Sequence, residues 1–491
     1  MSASGTQMTA AWRRMSPLGR IAAVALVAYS LMHFGRSAVW LPLVHHGMVQ
    51  AGQEMRPVQR YILRGRPVGP DNYRQYGPTF LFIMHGFLTC CAGPDPGHLD
   101  LETAPPAPDH IRLSRSLFAL EIVSFFAALW FVLASVRLWL EQVPRERLSR
   151  AAPYAGAAIV LIWLNYTPFY EIIDVKTVEA WEVCLLSAAM YAHLRGKDFW
   201  TGFCVAAAAL MKWLPGFFFL FLLLRNRRAL VFACLSALTL LSISHAVYGP
   251  ELGLLYPLLP IKASAGNAVT ILGHASFSFH SLWAKALGHF PIAPAGEFQT
   301  ADSQSVWDIA ITPERVKWAL RLGNACSAIV LAWTIWALTR RRDDVSRVSN
   351  EFWGWALATA VMFVLPPIVS YEYATLVVPA FSVAAALLIA QRWTRRSTYA
   401  AALFAVGLLL VGNIVPRSLV QRLVFVNALI EWTGYTHFTP NQGYYNFGFP
   451  MYGVLMLIVA LWIMRPDSPA RSGGEVLGEN PRDPARRVAI P

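Results

Sequence analysis

Between two apolar stretches, residues 53–80 read QEMRPVQRYILRGRPVGPDNYRQYGPTF, setting Arg56, Arg60, Arg64, Arg66 and Arg74 against only Glu54 and Asp71. Arg56, Arg60 and Arg64 are spaced by four, so a helix entered through Pro57 would align three guanidinium groups in one stripe. A planar guanidinium meets phosphate oxygens in bidentate geometry, so such a stripe suits a phosphorylated substrate. Glu54 and Asp71, at the two ends of the stretch, are then the acids placed to face that substrate. The competing reading is a surface helix on lipid headgroups, with Val58, Tyr61 and Ile62 on its apolar face.

Other candidates are scattered along the chain. Lys212 interrupts a long apolar run at KWLP, and an ionisable group in such a run is a functional candidate whose partner should exist. Snorkelling to the interface is the alternative. In EIIDVKTVEAWE, Asp174, Glu179 and Glu182 begin an apolar segment, where helix capping and dipole stabilisation account for carboxylates equally well. Glu372 follows the break at Pro366 and Pro367, at a position where it could simply be hydrated. His280 lies in ASFSFHSLW, which with EWTGYTHFTPNQGYYNFGFP combines rings and small polar groups able to engage sugars. Interfacial aromatic belts have the same composition.

These residues need a membrane bundle to position them. Of 491 residues, 56% are hydrophobic and 14% charged, outside the balance of a soluble protein. The net charge of +13 gathers in runs such as 225–228, 340–342 and 395–396, at the ends of apolar segments. That pattern marks cytoplasmic loops rather than a nucleic-acid surface. Apolar segments lie near 21–35, 115–140, 152–168, 177–194, 229–248, 316–339, 352–368, 375–391, 398–415 and 447–464. The run 199–224 has cations at both ends, so it should turn back at Pro215 as two short helices with Lys212 near the apex. With 79–92 re-entrant, the expectation is an all-α polytopic membrane protein of about 12 transmembrane helices, both termini cytoplasmic. Long outer loops then cover 36–114, 249–314 and 416–446. The expected division is a cytoplasmic segment 1–20, a membrane domain 21–464 and a disordered tail 465–491. Cysteines 90, 91, 184, 204, 234 and 326 have no metal-ligand spacing and read as small core residues.

Several of these pieces, in this order, resemble the membrane mannosyltransferases of glycosyltransferase family 87, which use polyprenyl-phosphate mannose and have the GT-C fold. The resemblance is carried by LRG followed by QYGPTF, by the run RGKDFWTGFCVAAAALMKWLPGFFFLFLLLRNRRAL, by LPPIVSYEYATLVVPAF and by FPMYGVLMLIVAL. It implies a GT-C-like bundle in the cell inner (plasma) membrane, with its active site facing the outside or periplasm. It also implies a polyprenyl-phosphate sugar donor, a glycan or glycolipid acceptor, and inversion at the anomeric carbon. A carboxylate base, Glu54 or Asp71, would take the acceptor's proton. Arg60, Arg64 and Lys212 would hold the donor phosphate, with Asp174, Glu372 and His280 as further site candidates. No cofactor, metal or nucleotide-sugar site is expected, and the outer loops carry no Gly-rich phosphate loop or DxD-like pair.

The chain departs from the family pattern in four places. Glu54 stands nearest the position of an early outer-loop aspartate. A Gln-Asn pair near 174–177 is replaced by DVKT, and an N-Q-S-L element by FHSL. A S-W-acid-His-His segment becomes Ser370, Tyr371, Glu372, Tyr373 and Ala374. A transporter or flippase of a lipid-linked sugar or other anion is the reading from a different class, with Lys212 and Glu372 lining its path.

Overall fold

The computed structural model describes residues 16–45, 77–92, 108–142, 145–175, 177–250, 252–258, 277–289, 313–340, 345–366, 369, 371–391, 394–412, 417–433, 440, 444 and 447–465. Glu54, Arg60, Arg64 and Asp71 lie outside them. Among the described residues the fold is all-helical, with no β-strand.

The helices, in chain order, are α1 (Pro17–Phe34), α2 (Pro78–Ala92), α3 (Pro108–Leu140), α4 (Arg145–Leu164), α5 (Thr167–Val175), α6 (Glu179–Leu194), α7 (Asp198–Ala209), α8 (Phe217–Arg225) and α9 (Arg227–Tyr248). They continue with α10 (Phe279–His289), α11 (Pro313–Thr339), α12 (Arg347–Val364), α13 (Val378–Ala390), α14 (Arg395–Val411), α15 (Arg417–Leu423), α16 (Val426–Thr433) and α17 (Phe449–Ile463). Local sequence sets the ends. Ser16 caps α1, its hydroxyl accepting from the Gly19 amide at 3.1 Å. Asn226 caps α9 through the Ala229 amide at 3.1 Å, and Pro366 follows the end of α12.

Five segments are long and apolar enough to cross a membrane: Pro17–Trp40, Arg112–Leu140, Arg227–Tyr248, Glu314–Thr339 and Tyr371–Ala390. The pair Tyr154–Leu164 and Thr167–Ile173, bent by 46°, makes a sixth if counted as one broken span. By length and composition the described residues therefore give five or six spans, where the sequence led to an expectation of about 12. The difference lies in helix length. Of the segments counted as spans, α6, α7, α8, α14 and α17 have 16, 12, 9, 17 and 15 residues, against the roughly 20 that a bilayer needs. At the first outer loop, the chain stays helical through Gly35–His45 as a π-helical continuation of α1, and α3 starts at Pro108. Helix therefore enters the 36–114 range from both sides.

α12 and α13 form the centre. Every residue from Asn350 to Val364 and from Val378 to Leu388 is buried, as expected of helices apolar on all sides. Rings around them send their polar ends to defined partners: Trp163 Nε1 donates to Ser382 Oγ at 2.8 Å, Trp353 Nε1 to the Leu461 carbonyl at 2.7 Å, and the Tyr166 hydroxyl to the Ala374 carbonyl at 2.7 Å. α9 runs along the outside, with Val231, Leu235, Leu238, Ile243 and Val247 exposed, a stripe suited to acyl chains.

A polar clasp closes the end of the bundle that carries the basic turns. Arg225, which the sequence suggested as a loop cation, is buried. Its fork donates from Nε to Glu351 Oε2 at 3.1 Å, from Nη1 to the Leu338 carbonyl at 2.7 Å and from Nη2 to the Asn350 carbonyl at 2.9 Å. His193 Nε2 lies 2.9 Å from the same Glu351 oxygen. Asn226 adds a bond to Asp198 Oδ1 at 2.8 Å. Together these groups tie α6, α7, α8, α11 and α12.

Candidate functional site

Pro215 produces the break expected of it. α7 ends at Ala209, a single 3-10 turn covers Leu214–Gly216, and α8 begins at Phe217. Lys212 sits at the apex. It does not snorkel: it is 2% exposed, and its Nζ is 2.5 Å from Glu179 Oε1 of α6, itself fully buried. The ammonium also lies 4.7 Å from the centre of the Tyr373 ring, a distance at which a desolvated cation gains from the ring face.

A helix end leaves carbonyls without intrahelical partners, and here the end of the QYGPTF stretch supplies donors. The Gly77 amide donates to the Met211 carbonyl at 2.9 Å and the Thr79 amide to the Leu210 carbonyl at 3.1 Å. Phe80, fully buried, packs on Trp181 of α6 with ring centres 5.9 Å apart. The residue that closes the arginine-rich stretch is thereby bonded to the turn that carries Lys212. Contact is close enough to require glycine, since a Cβ on Gly77 would stand 2.1 Å from the Leu210 carbonyl oxygen. Gly77→Ala is therefore expected to destabilise the protein by about 1–3 kcal/mol and to depress turnover. Thermal unfolding in detergent and an activity assay check this; wild-type values for both would show that the docking is dispensable.

Two further segments complete the surround. Tyr256, in the short turn Tyr256–Leu258, is buried, with its phenol pushed well up, first by burial and then by the Glu182 carboxylate, while Lys212 opposes the shift. Glu182, Lys212 and Tyr256 therefore share one electrostatic neighbourhood. The 3-10 segment Tyr371–Val377 brings Tyr373 and, beside it, half-buried Glu372. Its start is held by the Phe277 amide, which donates to the Val369 carbonyl at 2.7 Å, and by a Phe277–Tyr371 ring contact at 6.0 Å.

The sequence candidates fare differently. Lys212 lies against Tyr373, the residue that follows Glu372. Asp174 does not start α6; it falls in the last turn of α5. Glu179 and Glu182 do occupy the first turn of α6, but no side chain caps that helix, and Glu179 is engaged by Lys212 instead. His280 is buried on α10 and faces α11, with Nε2 2.9 Å from Asn324 Oδ1. Burial pushes its pKa down, the Asn324 bond opposing. Sequence reasoning missed Tyr256, Tyr373 and a second buried lysine, Lys285, which burial pushes down to about 7. It also missed the Glu179–Lys212 pair. The available signal was that a lysine in an apolar run demands an acid, and that Glu179 and Glu182 share one face of α6 at i, i+3.

A search of curated proteins finds no match. The model of glycosyltransferase family 87 matches residues 112–362, more than half of the chain. That span includes Glu179, Glu182, Lys212, Tyr256 and His280, so most of the described site falls within the matched region. Apolar helices long enough to cross a bilayer and this match agree: the chain is a membrane glycosyltransferase belonging to glycosyltransferase family 87.

Proposed function

We propose that this glycosyltransferase moves a sugar, mannose or another hexose or pentose, from a polyprenyl-phosphate donor to a glycan or glycolipid acceptor. In this reading residues 21–464 form the catalytic domain in the inner (plasma) membrane, and transfer takes place at its outer face. The observation that carries it is a buried ammonium, Lys212, at a helix break to which the end of the arginine-rich stretch is bonded through Gly77. Such a cation suits a phosphate whose lipid tail stays in the bilayer.

Chemistry follows from the charges. A carboxylate, Glu54 or Asp71, takes the proton of an acceptor hydroxyl as its oxygen attacks the anomeric carbon, with inversion. The bond from that carbon to the phosphate oxygen breaks, and the departing polyprenyl phosphate gains charge. Lys212, with Arg60 and Arg64, stabilises that charge because it is fixed before the reaction begins. Glu372 and Asp174 remain secondary candidates for acceptor contacts, and His280 for holding α10 in place.

The donor is tested with purified full-length protein, a polyprenyl-phosphate sugar labelled in the sugar, and membrane glycolipid as acceptor. Release of polyprenyl phosphate with label in the acceptor is the expected result. Transfer from a nucleotide sugar alone would refute the lipid donor. In the same assay Glu54→Gln is expected to lower turnover by about 10²- to 10⁴-fold with unchanged thermal stability. Near wild-type turnover would shift the base to Asp71 or Glu372.

A further inference from the structure

Several titratable groups lie around Lys212. Glu179 faces it from α6 and Tyr373, next to Glu372, from the 371–377 segment, while Tyr256 of the 252–258 turn feels both Lys212 and Glu182 of α6. Direct contact is with Glu179, at 2.5 Å. Burial disfavours the charged form of an amine, and a buried ion left without its partner is costly.

We propose that Glu179 is a positioning residue for the donor: it keeps Lys212 in the ammonium form while the site is empty, then yields it to the incoming phosphate. This rests on the reading of Lys212 as a phosphate ligand. One anion replaces another, so the cation is at no point stranded, and the Tyr373 ring face accompanies it in both states. The displaced carboxylate has somewhere to go. Glu179 opens α6, whose start has no side-chain cap, and the positive end of a helix dipole favours a carboxylate. In this exchange of one anion for another no proton moves.

The test is binding of a polyprenyl methyl phosphate, whose single charge does not titrate near neutrality, to the full chain in nanodiscs. For the wild type, Kd is expected to stay flat between about pH 6 and pH 9. In Glu179→Gln it should weaken by about tenfold per pH unit toward alkaline pH. Adding Lys212→Arg to Glu179→Gln should flatten the profile again, because a guanidinium keeps its proton. A flat profile in Glu179→Gln overturns the proposal, and so does a slope that survives Lys212→Arg. A further check needs no variant. Calorimetry of the wild type in buffers of different ionisation enthalpy should find no proton uptake on binding, and uptake of about one proton overturns the proposal. Lys212→Met with Glu179→Gln separates the two levels. Undiminished binding at every pH in that double variant refutes Lys212 as a phosphate ligand; weakened binding there, beside a flat Glu179→Gln profile, refutes only the role given to Glu179.

Discussion

Lys212→Met is expected to lower kcat/KM for the lipid-linked donor by about 10²- to 10³-fold, the range seen when a preorganised charge-stabilising group is removed from an active site. Taken alone, the substitution has a second effect. It leaves the Glu179 carboxylate buried without its ammonium, and breaking a buried pair in this way costs about 3–5 kcal/mol. Loss of activity and loss of fold would then be confused. Lys212→Met combined with Glu179→Gln separates them, because two neutral side chains replace the pair and stability should return toward the wild type. Turnover should not return. A double variant with wild-type melting temperature and less than about 1% of wild-type turnover is the expected result; recovery of activity along with stability would make the pair purely structural.

Arg225→Ala has the largest effect expected on stability. Its guanidinium serves one carboxylate and two carbonyls from different helices, so truncation leaves the buried Glu351 carboxylate without its guanidinium and removes the tie between α8, α11 and α12 at once. A loss of about 3–5 kcal/mol follows, seen as a lower melting temperature in detergent and poorer yield. Arg225→Lys should rescue little, since a single ammonium cannot span three acceptors held in a fork. The neighbours give the contrast. Arg227 and Arg228 are exposed, and alanine at either should change stability by no more than about 0.5 kcal/mol. Equal losses at all three positions would mean that net charge at this end of the bundle, not the clasp, is what matters.

Much of this architecture was legible in the sequence wherever apolar length and a breaker coincide. The turn at Pro215, the end of α12 before Pro366 and Pro367, and helices α3, α9 and α11 all follow from hydropathy and proline chemistry. The number of spans was less legible. Hydropathy registers apolar content, and in a bundle whose central helices are buried on all sides a short interior helix looks the same as a crossing one. Cation runs misled at one position. RNRR reads as a basic turn, but its first arginine is folded inward to Glu351, more than a hundred residues away in sequence, and no local pattern reports such a partner. The same holds at the site. Lys212 was conspicuous because it is charged in an apolar run, whereas Glu179, at the start of a helix, looked like ordinary dipole stabilisation. Tyr256 and Tyr373 carried no signal, since aromatic residues are common in any membrane protein.

In the proposed reaction the donor's phosphate is held where the Gly77 end of the arginine-rich stretch meets the Lys212 turn. A polyprenyl phosphate bearing a diazirine beside its phosphate, photolysed with the full-length protein and mapped by peptide mass spectrometry, tests it most directly. Label is expected within residues 53–80, 210–214 and 371–373, and is expected to fall sharply in the Lys212→Met, Glu179→Gln double variant. Label concentrated around His193, Arg225 and Glu351 at the opposite clasp, or label at the 210–214 turn that the double variant leaves unchanged, would contradict it.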